Sequence, residues 1–340
     1  MAEGFISVLR GLLQRVLSLC GRLAPHVARP QHHLATETPR LAAQSAAHRV
    51  RVLCVGINYT AQARAWHLRG CRADAERMAA HFARLGAEDT LVYTDEPVAA
   101  GDRRRAGTGV RMQQIFFTGS TLRAHLKNFL GLGAQGTLSP ESLQRGIRVA
   151  TFACHGEQRS DISGEETDGL DECLALGHDN EHVTDDDINA LVMASLAQYP
   201  ERRLLLLFDC CHSGSIADLR FAYDPAECAW FDAEGTRYEP DESANTRGLA
   251  LAMGGCTSDG LSYEVQLSDN SVAGAFGLAF RRHFGALSTP VLAAFHAIRE
   301  EVASHPDFKQ EVQLASSQPF GVTFALAADG GSLDHRPCDK

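Results

Sequence analysis

The stretch Arg203-Leu204-Leu205-Leu206-Leu207-Phe208-Asp209, running straight into Cys210-Cys211-His212-Ser213-Gly214, decides how the rest of the chain is read. Five apolar residues in succession, bounded by Arg203 and Asp209, are too few for a helix and show no alternation. A strand of that kind is buried on both faces, as the central strands of a parallel sheet are. A polar turn bearing two cysteines and a histidine follows at once. Ligands of open α/β sheets bind outside the carboxyl ends of the strands, so this turn is a candidate site.

Working outward, further strands are expected at Val50–Asn58, Thr90–Thr94, Ile147–Ala153, Gly248–Gly255 and Val322–Leu326. Helical spacing of apolar residues marks Arg72–Arg84, Thr121–Leu130 and Asp185–Gln198. Strands separated by helices imply an α/β domain with a mostly parallel central sheet flanked by helices. Its expected extent is residues 49–328, followed by a flexible tail over 329–340. Gly101–Gly109 reads as a polar loop carrying Arg103, Arg104 and Arg105.

Residues 1–48 are different in kind. Phe5, Ile6, Leu9, Leu12, Leu13, Val16 and Leu17 recur at helical spacing with Arg10, Arg15 and Arg22 among them, and Glu3 is the one acid in the first 36 residues. Such an amphipathic, acid-poor segment suits an organelle-targeting sequence, with mitochondria as the destination, a membrane-surface helix, or a pro-segment that docks on its own domain. The stretch after Pro30 reads as linker.

Composition narrows the function classes. Hydrophobic residues are 44% and charged residues 22% of 340, which excludes wholesale disorder. The run at Leu204–Phe208 is far short of the roughly 20 residues of a membrane-spanning helix. A net charge of −10 argues against a nucleic-acid partner. Twelve Asp and Glu against the single Arg159 lie between Glu157 and Asp187, so this one segment carries the whole imbalance. Acids packed so densely repel one another, so the segment is expected to be a poorly ordered, flexible loop until a cation neutralises it. The ten cysteines form no C-x-x-C pair, and several sit inside apolar runs, as Cys54 and Cys210 do. Reduced cysteines in a reducing compartment, the cytoplasm, are the expectation.

Two strands end in reactive residues: Ile147–Ala153 in Cys154-His155-Gly156, and the leucine run in Asp209 to Gly214. Neighbouring strands would bring a Cys and a His together. A thiol needs a base to become a nucleophile, and small residues beside it let backbone N–H groups face an oxyanion. Gly156 and Gly214 meet that need, although buried cysteines and surface histidines at strand ends fit the spacing equally well. A phosphatase loop fails, because Ala217 stands where Arg is required six residues after Cys211, and no phosphate loop ending in Gly-Lys-Ser or Gly-Lys-Thr occurs. Taken alone, Asp74 reads as an acid on a helix N-terminus and Asp209 as a strand-end cap. Thr184 followed by Asp187 reads as a helix cap.

Four segments in order, Val55-Gly56-Ile57-Asn58-Tyr59 with Leu68 to Ala75, His155-Gly156, Gly164 to Glu172, and Asp209 to Ser215, with Gly255-Cys256 through Ser262 after them, resemble the metacaspases. These are caspase-fold cysteine peptidases of plants, fungi and protists, and the paired-cysteine nucleophile segment is most similar to the trypanosomatid type I-like members. The resemblance implies a caspase-like three-layer sandwich and peptide-bond cleavage after Arg or Lys through a thioester acyl-enzyme. It implies Cys211 as nucleophile and His155 as general base, with Cys210 packed inside and His212 structural. It implies a substrate pocket formed by Cys71, Asp74, Ala153 and Asp209, and dependence on calcium (Ca²⁺). The implied calcium ligands are Asp171, Asp185, Asp186 and Asp218, with the triplet Asp185–Asp187 ambiguous by one residue. Protein or peptide substrates and a monomer are expected, with no nucleic acid and no transmembrane segment. Two positions depart from the family: Ala153 stands where a serine is usual and Cys154 where a glycine is usual. They support the alternative of a weak or inactive relative acting as a calcium-dependent binding or regulatory module.

Overall fold

The computed structural model describes residues 49–101, 109–133, 146–164, 166, 168–177, 181–305 and 308–327. The expectations for residues 1–48, for the arginine-rich loop and for the tail after 328 fall outside these residues.

The strands in chain order are β1 (Arg49–Gly56), β2 (Asp89–Thr94), β3 (Val110–Gln114), β4 (Gly146–Ala153), β5 (His155–Ser160), β6 (Leu170–Ala175), β7 (His182–Thr184) and β8 (Arg203–Asp209). They continue with β9 (Phe221–Asp224), β10 (Ala229–Phe231), β11 (Arg237–Tyr238), β12 (Leu249–Gly254), β13 (Glu264–Gln266), β14 (Val272–Gly274) and β15 (Gln313–Ser316). The helices are α1 (Cys71–Arg84), α2 (Gly119–Phe129), α3 (Asp185–Gln198), α4 (Ala275–His283) and α5 (Val291–Ala303).

Ten strands form the main sheet in the order β11-β10-β9-β15-β12-β8-β4-β1-β2-β3. The six from β12 to β3 are parallel, and the four beyond β12 are antiparallel. The leucine run lies at the centre, and its side chains divide as pleating requires. Leu205 and Leu207 join the core under α1, α4 and α5 with Met78, Phe82, Phe280 and Phe295. Leu204, Leu206 and Phe208 join the core under α2 and α3 with Leu122, Leu126, Ile188 and Val192. The result is the three-layer α/β sandwich, with a purely parallel half that carries the site.

The expected Val322–Leu326 strand is corrected: the strand that pairs with β12 is β15, about ten residues earlier and itself flanked by β9. Phe324 and Leu326 are core residues even so, both essentially buried. Their backbone finds partners outside a ladder, because the Arg203 guanidinium donates to the Ala325 and Leu326 carbonyls at 2.7 and 2.9 Å and lies over the Phe324 ring. An arginine that satisfies buried carbonyls removes the need for a strand partner. The acidic segment is also corrected. Its described residues form largely an antiparallel sheet, β5-β6-β7, standing on the end of β4.

Candidate active site

Parallel register brings three strand ends to one level: Gly56 pairs with Ala153, and Ala153 with Asp209. The residues that follow therefore meet. Cys154 and Cys210 point into the core beneath α2 and α3 and are buried. Cys211, one residue on, is half-buried and lines a cleft of about 120 Å³ with His155, Cys71, Asp74, Ala153 and Asp209. Alternation along β8 thus separates the two neighbouring cysteines as expected. His212, at φ +54°, is held by a 2.7 Å hydrogen bond between Nδ1 and the Ser258 carbonyl and by its own N–H on Gly260, which is a structural role.

His155 is oriented on every side. Its Nε2 donates to the Trp66 carbonyl at 2.9 Å. A carbonyl only accepts, so the proton sits on Nε2 and leaves Nδ1 with a free lone pair, as a general base needs. The ring lies 4.8 Å from that of Tyr59 and edge-on to Trp66 at 5.6 Å, centroid to centroid. The His155 N–H donates to the Tyr59 hydroxyl at 2.8 Å, and that hydroxyl donates to the Ala175 carbonyl at 2.5 Å. Tyr59 adopts φ +57°, an uncommon region for a bulky residue, and is buried.

The Cys211 thiol is pushed above its ordinary value by burial, with the Asp209 charge adding to the effect. It rests protonated and donates to the Ser262 carbonyl, Sγ–O 4.0 Å. Gly156 is required here, since a β-carbon would overlap the Cys211 carbonyl oxygen.

On the far wall, Asp74 on the first turn of α1 accepts from the Gly274 N–H at 2.7 Å and from Arg77 at 3.1 Å. Burial, then the neighbouring Asp209, raises its carboxyl to about 6. Asp209 accepts from the Ser262 hydroxyl at 2.7 Å and the Gly277 N–H at 2.9 Å, and burial raises it too. Sequence reasoning missed three contributors. Glu264 lines the cleft and caps α1 through the Gly70 N–H at 2.8 Å, and Arg77 and Arg281 surround Asp74. None stands within reach of a local motif. Tyr59 lay inside a quoted segment, but nothing local revealed its bridge.

The acids beyond the cleft form a connected patch. Asp185, buried at the start of α3, accepts from the Glu172 and Asp186 N–H groups at 2.8 Å each. Burial, with Glu172 and Asp171 adding, raises its carboxyl to about 7. Asp171 is raised by burial, with Asp161 and Asp186 adding. Asp187 instead pairs with Arg123 of α2 at 2.7 Å, and its N–H is capped by Thr184. Asp218, at φ +40°, bears on Glu166, which burial and then Asp218, Glu172 and further acids raise to about 7. Glu172 hydrogen-bonds the Ser215 hydroxyl of the nucleophile loop. Among the described residues no three acidic, His or Cys side chains stand ready to grip a metal ion. These side chains nonetheless carry hard carboxylate oxygens, burial and mutual repulsion raise Asp185 and Asp171, and a divalent cation placed among them would relieve that repulsion.

The family profile of the caspase domain matches residues 49–322. A protein of Kluyveromyces lactis named Metacaspase-1 is 28% identical over 232 residues, covering 65% of this chain and 45% of that protein. Metacaspase-3 of Arabidopsis thaliana is 25% identical over 289 residues, 80% of this chain and 73% of that protein. Metacaspase-1 of Cryptococcus neoformans var. neoformans is 30% identical over 222 residues, 63% of this chain. This chain spans less than half of the two fungal relatives, 45% and 39% of their lengths. With Cys211 and His155 in one cleft at the strand ends and the profile extending over most of the sequence, the chain belongs to the caspase-domain family of cysteine peptidases.

Proposed function

We propose that this chain is a calcium-activated cysteine endopeptidase that cuts after Arg or Lys, with Cys211 as nucleophile and His155 as general base. One observation carries the reading: the Trp66 carbonyl fixes the His155 tautomer so that Nδ1 is free, in the same cleft as a half-buried thiol and the carboxylates of buried Asp74 and half-buried Asp209. Because burial keeps the thiol protonated, a base is needed. Nδ1 takes the Sγ proton as sulfur attacks the substrate carbonyl carbon, and the Trp66 carbonyl then stabilises the imidazolium. The tetrahedral oxyanion would face backbone N–H groups at Gly156 and Cys211. Collapse breaks the C–N bond, Nδ1–H protonates the leaving amine, and a thioester remains. Water, deprotonated by Nδ1, releases the acid and restores the thiol.

Asp74 and Asp209 suit a guanidinium or ammonium on the residue before the scissile bond. Asp171, Asp185, Asp186 and Asp218 would hold calcium, and bound calcium supplies positive charge that lets these acids ionise together. The alternative, a weak or inactive binding module, draws on Ala153, which offers the pocket no hydroxyl. The test is hydrolysis of fluorogenic peptides ending in Arg, Lys or Asp, in calcium and in chelator, by wild type and Cys211→Ala. Calcium-dependent cleavage after Arg and Lys, lost in Cys211→Ala, is expected. Inert wild type in calcium favours the module, and equal rates in chelator remove calcium from the reading.

A further inference from the structure

Behind the Asp74 carboxylate, outside the residues that line the cleft, stands a buried charge of the opposite sign. Arg281 of α4 directs its guanidinium at Asp74, Nη1–Oδ1 3.7 Å, with its side chain 11% exposed. That Nη1 is buried and has no hydrogen-bond partner. Arg77, on the other side of Asp74, is tethered outward by the Val272 carbonyl at 2.8 Å and the Ser271 hydroxyl at 2.9 Å. Gly277 lies one turn before Arg281 and donates to Asp209. A β-carbon at Gly277 would stand 3.0 Å from Asp209 Oδ2 and 3.5 Å from Arg281 Nη1, so the guanidinium reaches the space beside both carboxylates. Both guanidiniums approach Asp74, and the Arg281 charge also bears on Asp209, so the two acids are already offset in part, with Glu264 a further acid lining the cleft. A buried cation without a hydrogen bond is costly to keep, and here only the attraction of the acids compensates it.

We propose that Arg281 is a specificity-determining residue: a resident guanidinium that already offsets the Asp74–Asp209 pair and so weakens the preference of the pocket for a basic substrate side chain. The proposal rests on the reading of that pair as the pocket for Arg or Lys. An incoming guanidinium must share the carboxylates with Arg281 and meets a like charge beside them. Uncharged side chains of the same shape meet no such opposition, so discrimination between charged and neutral substrates is compressed.

The experiment compares two fluorogenic peptides that differ only in Arg versus citrulline, its neutral isostere, before the scissile bond. The measured quantity is the ratio of kcat/KM values at pH 8.5, where Asp74, raised to about 6, is ionised. Arg281→Met keeps the stem and removes the charge. It should raise the Arg-to-citrulline ratio about 10-fold, equivalent to about 1.4 kcal/mol, through a lower KM for the Arg peptide. Arg281→Lys, which restores the charge, should return the wild-type ratio. A ratio unchanged or lowered in folded Arg281→Met overturns the proposal. Where Arg281→Met does not fold, Arg281→Gln carries the same expectation, and failure of both to fold assigns Arg281 to structure alone and overturns it. If wild type shows no preference for Arg over citrulline and Asp74→Asn leaves the ratio unmoved, the pocket reading itself fails. A wild-type preference that Arg281→Met leaves untouched refutes only the role given to Arg281.

Discussion

Removing the charge of Asp185 should make the stability of the protein less sensitive to pH, in a direction that the geometry dictates. Its carboxyl rises from 3.8 to about 7 on folding, because it is buried beside Glu172 and Asp171. A raised value means that the unfolded chain gives up the proton first. Between these two values the folded state binds more protons, so its stability falls as pH rises through the window from about 4 to 7. About two pH units of that window lie above pH 5, worth roughly 2.7 kcal/mol at 1.36 kcal/mol per unit and about 1–2 kcal/mol once solvent screening is allowed for. Asp185→Asn abolishes this titration at a cost of its own. The amide oxygen can accept from only one of the Glu172 and Asp186 N–H groups, both now at 2.8 Å, and its NH₂ meets the other donor. An unsatisfied buried donor costs about 1–3 kcal/mol at every pH. In chelator, the variant should therefore melt below wild type at pH 5. The gap should close by about 3–6 °C on going to pH 8. Thermal unfolding of both proteins at pH 5, 6, 7 and 8 is the assay. A gap independent of pH would refute the argument. Calcium at pH 8 should raise the melting temperature of wild type and do so much less for Asp185→Asn.

Cys211→Ala should abolish peptide hydrolysis with an unchanged melting temperature, whereas Cys210→Ala should keep most of the activity and lose about 1 kcal/mol of stability, read by kinetics and thermal unfolding side by side. Tyr59→Phe leaves the His155 N–H without its partner and should lower both kcat, by about 10-fold, and stability, by about 1–3 kcal/mol; an unaffected kcat would show that Trp66 alone orients the base. Ala153→Ser adds a hydroxyl beside Asp74 and Asp209 and should lower KM for Arg peptides about 5-fold, which a peptide titration measures directly.

The parallel half of the sheet was legible because its residues are extreme: Leu204–Phe208 can only be a doubly buried strand, and α3 is recovered at Asp185–Gln198 as expected. The meeting of Cys211 and His155 in one cleft was expected if their two strands were neighbours, and the β4–β8 register makes them so; the roles given to them came from the family resemblance, not from spacing. The antiparallel extension was not legible, since strands of two to four residues such as β10 and β11 carry too little pattern. Val322–Leu326 misled because Phe324 and Leu326 are buried by tertiary packing on Arg203, with no ladder behind the alternation. The acids from Glu157 to Asp187 suggested disorder by their charge, yet Cys173, Leu174 and Val183, all fully buried, anchor β6 and β7 against the core. Arg281 was invisible for a different reason: its partner Asp74 is some two hundred residues away in the chain, on another helix.

His155 is not merely near the acid-bearing sheet; it is the first residue of β5. Its backbone pairs with Ala175 in β6, and the Tyr59 hydroxyl stitches the same two residues a second time. Ribbon and imidazole are thus one connected part, joined to the main sheet at the carboxyl end of β4. The far end of that part is the turn around Ile162, whose side chain is 96% exposed. A tilt there is delivered to the ring with no relay of side chains between. The ribbon is a lever with the base on its short arm, and an artificial clamp on the turn, such as a designed binder, should throttle turnover without entering the cleft.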